Sequence, residues 1–315
     1  MSDLATLEPT EGRAEPSWKR FVAVSVPPAV VMLVSLGILY LGAVHANSSG
    51  TLPKVAADGV GATWTNTFLH STNWSRFDSG QYERIATYGY QLFRCPPNQG
   101  YPPRSWCGDT GWTPLFPTML FLGAKFGWSY NQVGLLISWI FSYLTMVVIW
   151  LMLDARLTLR NGCALVLAAV FPGMVYAHAV FPISMAQFFL VASLFFVVRR
   201  RFLWAGIAAS GAVLAYSADL VIPLVLLVVV LLVERSKPLR DRVRSASLAV
   251  GPPIITILGL FVGFQVLVGN WRAFLLSQAK YGSGLHNPIG VFLASFLGAP
   301  LVPWTVVHFF WMRSS

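Results

Sequence analysis

Apolar runs cover 21–44, 132–153, 162–177, 183–198, 202–216, 220–233, 248–268 and 288–312, divided by short charged or polar joints. Runs of this order suit helices crossing a hydrocarbon core about 30 Å thick. The pattern predicts an all-α, polytopic transmembrane protein with about eight spans. It also predicts one long outer loop, 45–130, rich in Gly, Pro, Trp and Asn, that carries short juxtamembrane helices. Residues 1–20 read as a disordered cytoplasmic tail and 21–315 as the transmembrane domain. The first run is too long for a signal-peptide core, and no small-residue cleavage site follows it.

Charge fixes the orientation. Segments 154–160, 199–201 and 234–244, together with Arg313, hold the Lys/Arg excess, which marks cytoplasmic joints. Parity works with eight spans only if 112–127 does not cross, so that segment is expected to lie on or dip into the outer face. The stretches 162–198 and 202–233 then become hairpins. Their tips, near His178–Pro182 and Tyr216–Asp219, share a face with the long loop. No internal repeat of the kind common in transporters is visible.

Composition agrees. The chain is 56% hydrophobic and 11% charged, with a mean hydropathy of +0.63, against about a quarter charged in soluble domains. The net charge of +10 follows from topology, so no nucleic-acid partner is expected. Cys163, in an apolar run, reads as a small packing residue. Cys95 and Cys107 can close a staple if their loop faces an oxidising compartment, which spacing alone does not decide.

The long loop carries the chemistry. Residues 75–89 suggest a short helix with Asp78 as N-cap, Gln81 completing a capping box and Gly89 as C-cap. Against a purely capping Asp78, the positions of Asp78, Tyr82 and Ile85 share one helical face. Arg84 points away from Asp78 on the same helix.

"FDSGQYERIATYGY", followed some twenty residues later by "WTPLFPTM", resembles the first lumenal loop of the PIG-V mannosyltransferases, GT-C glycosyltransferases with bacterial relatives. Phe77-Asp78-Ser79, Tyr82, Ile85-Ala86 and Gly89-Tyr90 fill the first block. Trp112 and Pro114-Leu115-Phe116-Pro117 fill the second, with Thr113 where an aromatic is usual. The chain departs from the family at Gln187, where an acid is favoured, and at "YSADLV", where an Arg-Ser pair is usual.

The resemblance implies a GT-C-like fold and an integral membrane glycosyltransferase. It would move mannose from a polyprenyl-phosphate sugar to a hydroxyl of a glycan, lipid or protein acceptor on the non-cytoplasmic side. In this role Asp78 is the base or acceptor-orienting group. Tyr82, Arg84, Tyr90, Trp112, Asp219 and Lys280 are the substrate-binding candidates. No metal ligands are assigned, and a divalent metal is left open as a cofactor. The Ala/Val/Leu/Arg-rich style points to a bacterial plasma membrane.

The same residues carry blander readings. Asp219 also suits a simple turn, although an ionisable group at membrane depth is a functional candidate by default. His178 reads as an interfacial residue before a ligand. Asp78, Asp109, Asp219 and His178 could converge, though no spacing demands it. The rival from another class is a transporter, flippase or scaffold that handles a lipid without chemistry.

Overall fold

The computed structural model describes residues 17–48, 74–75, 78–97, 100–102, 104–171 and 173–280. The expected run 288–312, most of the tail and the residues Arg76 and Phe77 lie outside the described residues. The described chain is mostly helical, in the order α1 (Ser17–Ser48), α2 (Ser79–Tyr88), β1 (Leu92–Arg94), β2 (Trp106–Gly108), α3 (Leu115–Ala124), α4 (Tyr130–Met152) and α5 (Leu159–Ala169). Then follow α6 (Met174–His178), α7 (Ile183–Val198), α8 (Phe202–Ala215), a 3-10 turn (Ser217–Val221), α9 (Ile222–Val233), α10 (Leu239–Val268) and α11 (Ala273–Ala279).

Three of these helices are long and apolar enough to cross a membrane, within Trp18–Gly42, Tyr130–Met152 and Leu239–Val268. The arms of the two expected hairpins are helical but shorter than the roughly 20 residues of a full crossing. They break where the chain is expected to turn, between α6 and α7 at 179–182 and at Tyr216. The ten residues of α3 rise only about 15 Å, half a hydrocarbon core.

Two proline pairs shape the packing. Pro27 and Pro28 lie inside α1, and a proline leaves the carbonyl four residues earlier without its helical donor. For Pro27 that carbonyl is Ala23, and the Trp150 indole N–H of α4 donates to it at 2.9 Å. Pro252 and Pro253 in α10 likewise release the carbonyls of Leu248 and Ala249. Gly206 of α8 meets both: a Cβ there would stand 2.8 Å and 2.7 Å from those oxygens. Small residues let membrane helices approach this closely, and Ala205, Ala209 and Ala212 continue the seam as part of one buried cluster.

Helices α4 and α7 end alike. Ala155 N–H donates to Trp150 and Asp154 N–H to Leu151, while Arg201 N–H donates to Phe196 and Arg200 N–H to Val197. Both are Schellman closures. Asp154 (φ 58) and Arg200 (φ 56) occupy the left-handed position where glycine is usual. A non-glycine residue there costs about 1–2 kcal/mol.

The expectation of an all-α loop is corrected by a two-stranded antiparallel sheet that pairs Leu92 with Gly108 and Arg94 with Trp106. The Cys95–Cys107 disulfide closes it. Gly108 (φ 127) is required, because a Cβ there would overlap the Gln91 carbonyl. Cys163 is exposed rather than packed.

Candidate functional site

Helix α2 buries Ser79, Tyr82, Ile85 and Ala86 and ends at Gly89 (φ 75), as the spacing predicts. Its start differs from expectation. Asp78 holds the N-cap position, and its carbonyl accepts from Gln81 and Tyr82, yet its side chain makes no capping bond. The reason lies in the backbone: φ −84 and ψ 14 are already near-helical, whereas a capping residue is extended. The Gln81 half of the capping box is also missing, since Gln81 Oε1 is buried without a partner. Meanwhile Ser79 Oγ–H donates to Val180 C=O at 2.6 Å, tying the helix start to the α6–α7 tip. Asp78 is left exposed, with its carboxylate unused by the helix.

Below it lies an aromatic floor. Tyr82 is 1% exposed and stands edge-on to Phe116 at 5.3 Å and Phe181 at 5.8 Å. Phe181 in turn meets Tyr216, 6.0 Å away at the α8–α9 tip. Val180 N–H donates to the Trp74 carbonyl. Three separate segments therefore meet here, as the orientation argument predicts.

Burial raises the Tyr82 phenol far above its usual range, and Tyr216, Asp78 and Tyr90 add to the rise. Burial likewise raises Tyr216, followed by the charges of Asp78 and Asp219. Tyr216 thus remains a neutral hydroxyl within electrostatic reach of two carboxylates. Burial alone pushes Asp219 up to about 6, and its Oδ2 is buried without a hydrogen-bond partner.

The remaining predicted residues form a second group. The Arg84 Nη2 stands 3.2 Å from Oδ2 of Asp109, whose side chain is fully buried. Asp109 Oδ1 accepts the Gln91 N–H at 2.7 Å. Burial raises the Asp109 carboxyl, and the Gln91 amide and Arg84 only partly offset this. Tyr90 does not offer its hydroxyl to the first group: it donates to the Trp112 carbonyl at 2.8 Å, and its ring stands edge-on to Phe264. Trp112 N–H closes back on the Asp109 carbonyl. Helix α11 clasps the loop through Thr110 Oγ1–H to Ala273 C=O and Gln278 Nε2–H to Gly111 C=O.

Lys280, at the end of α11, lies over the Tyr101 ring, with Nζ 5.4 Å from its centroid. Burial and then Arg84 lower its pKa, while Asp109 opposes the shift.

Asp78, Tyr82 and Asp219 are thus gathered around Tyr216, and Arg84, Tyr90, Trp112 and Lys280 around Asp109. Sequence reasoning missed Tyr216 as the link and Asp109 as the hub, because both depend on contacts between distant segments. His178 is corrected from an interfacial residue to a buried one, its Nε2 3.0 Å from Ser35 Oγ of α1. Asp78, Asp109, Asp219 and His178 do not converge: among the described residues no group of three or more His, Cys, Asp or Glu could hold a metal ion. Gln187 lines a separate cavity of about 180 Å³ with Ser142, Thr145 and Met146 of α4, away from the predicted residues.

Compared with family models, curated proteins and solved structures, the chain matches none.

Proposed function

We propose that this chain is an integral membrane glycosyltransferase of GT-C type that moves mannose from a polyprenyl-phosphate donor to an acceptor hydroxyl. In this reading the chain crosses a bacterial plasma membrane eight times, α3 stays on the outer side, and the site faces away from the cytoplasm. The observation that carries the proposal is Asp78: an exposed carboxylate that its own helix does not use, electrostatically felt by Tyr82 and Tyr216. The resemblance over 77–90 and 112–117 supports the reaction class. The Cys95–Cys107 disulfide supports the sidedness, since such bonds persist in oxidising compartments.

The chemistry is one displacement. The acceptor oxygen attacks the anomeric carbon, its proton passes to the Asp78 carboxylate, and the bond from that carbon to the phosphate oxygen breaks. A positioned base contributes about 10²–10⁴-fold. The lipid phosphate leaves as an anion and needs no general acid, so the carboxylate pair of glycoside hydrolases is not required. Arg84 and Lys280 supply the cations for the developing phosphate charge, and Asp109 offsets part of their positive charge. Tyr216 and Asp219 hold the acceptor through hydroxyl and carboxylate contacts.

The test is transfer from a labelled lipid donor by folded Asp78→Asn protein. Turnover should fall by about 10²–10⁴-fold with the unfolding midpoint unchanged. Unchanged turnover removes Asp78 as the base, and absence of transfer by the native protein leaves lipid handling without chemistry.

A further inference from the structure

On the face opposite Asp78 the ends of α7, α8, α9 and α10 meet. Fourteen residues of α8 separate Arg201 from Tyr216, roughly 21 Å of helical rise. Eight cations gather in 199–201 and 235–244: Arg199, Arg200, Arg201, Arg235, Lys237, Arg240, Arg242 and Arg244. Only Glu234 and Asp241 oppose them. We propose that this corner is a binding site for the phosphate headgroup of an anionic membrane phospholipid.

Four observations raise the corner above a diffuse basic face. The Gly206 approach to Leu248 and Ala249 puts α8 and α10 in register. Arg201 and Arg244 each lie five positions before that crossing, roughly 7–8 Å along either helix, and so stand at one depth.

Arg200 occupies a left-handed backbone position and pairs with Glu234 at 3.4 Å. Glu234 is buried, so the pair locks the α7–α8 turn to the end of α9. Arg242 Nε is buried without an acceptor, a donor that a phosphate oxygen would satisfy.

At the same level Val198, Leu203, Trp204, Leu232, Leu239 and Val243 are exposed. Cations beside an outward-facing tryptophan and aliphatic side chains mark the headgroup layer, not a surface for an acidic protein. Basic pockets between helices at that depth recognise anionic headgroups, and Arg forks match phosphate geometry.

The experiment uses the full chain in detergent and does not depend on transfer activity. Native mass spectrometry compares retention of phosphatidylglycerol with phosphatidylcholine, with inorganic phosphate as a separate arm. Phosphatidylglycerol should be retained preferentially, and Arg242→Gln/Arg244→Gln should weaken its binding by roughly fivefold or more per cation removed. Arg160→Gln, a cation outside the corner, should leave binding unchanged. Arg200→Lys keeps the charge beside Glu234 and reports on the site if the double variant folds poorly; it should weaken retention by removing the guanidinium fork. Equal retention of the two lipids overturns the proposal, as does an equal loss in Arg160→Gln. Full displacement of phosphatidylglycerol by inorganic phosphate at matched concentration assigns the corner to free phosphate instead.

Discussion

Trp150 of α4 hydrogen-bonds the Ala23 carbonyl of α1, the acceptor that Pro27 leaves without a helical donor. The indole is fully buried, so the bond repairs a defect where no water is available. Trp150→Phe should lower stability by about 1–3 kcal/mol, the cost of a buried unpaired acceptor. In a Pro27→Ala background, which restores the missing N–H, the same change should cost less. Unfolding midpoints of the four proteins in detergent decide it. Equal costs in both backgrounds would mean the indole does not serve that carbonyl.

Arg84 and Asp109 form the hub that joins α2 to the hairpin and the 109–112 loop. Arg84→Gln leaves a buried carboxyl without its guanidinium partner, though it keeps the Gln91 amide. Arg84 is itself 38% exposed, so solvent screens part of the attraction. A loss of about 1–2 kcal/mol is therefore expected. Asp109→Asn should lose less, and the double variant should lose less than the two single losses added together. Additive losses in a thermal unfolding cycle would show that the two groups do not couple.

Much of this arrangement is legible along the chain. The α2 helix, its Gly89 terminus, the two broken hairpins and the meeting of their tips with the long loop all follow from apolar periodicity, charge bias and turn residues. Those are local signals, or signals that accumulate along one helix. Whether the Asp78 side chain caps its helix is not written in the sequence, because a few tens of degrees in ψ decide whether a carboxylate can reach back to its helix. The ladder of 92–94 with 106–108 is too short to register as a period, and the staple at Cys95 and Cys107 depended on geometry. The division of the polar residues into two groups follows from which distant segments touch. No spacing between Arg84 and Asp109, or between Asp78 and Tyr216, encodes that.

Asp219 gives the pH dependence a sign. Its carboxyl is raised from 3.8 to about 6 by burial, so the folded state binds its proton more tightly than the unfolded chain does. The contribution to stability is fully present below about pH 4 and is lost as pH rises through about 6. Asp219→Asn, which stays uncharged, should remove this loss. The variant should therefore gain on the native protein between pH 4 and 7, and that difference in unfolding midpoint should level off above pH 7. A difference that is flat across the range would place Asp219 in water.

Gly206 gives the sharpest packing prediction, because two effects of known sign compete there. Replacing a helical glycine with alanine normally stabilises by about 0.5–1 kcal/mol through the lost backbone freedom of the unfolded chain. At Gly206 the new methyl would meet the Leu248 and Ala249 carbonyls and Pro252 Cγ at 2.7–2.9 Å, and backbone atoms cannot turn aside as a flexible side chain can. Overpacking of this kind costs about 1–3 kcal/mol, so Gly206→Ala should destabilise on balance. Gly259, on the same α10 helix, has nothing within 4 Å of its Cβ position, and Gly259→Ala should show the ordinary gain. Opposite shifts in unfolding midpoint are the expected result. A stabilising Gly206→Ala would mean that α8 does not sit on the carbonyls that Pro252 and Pro253 set free.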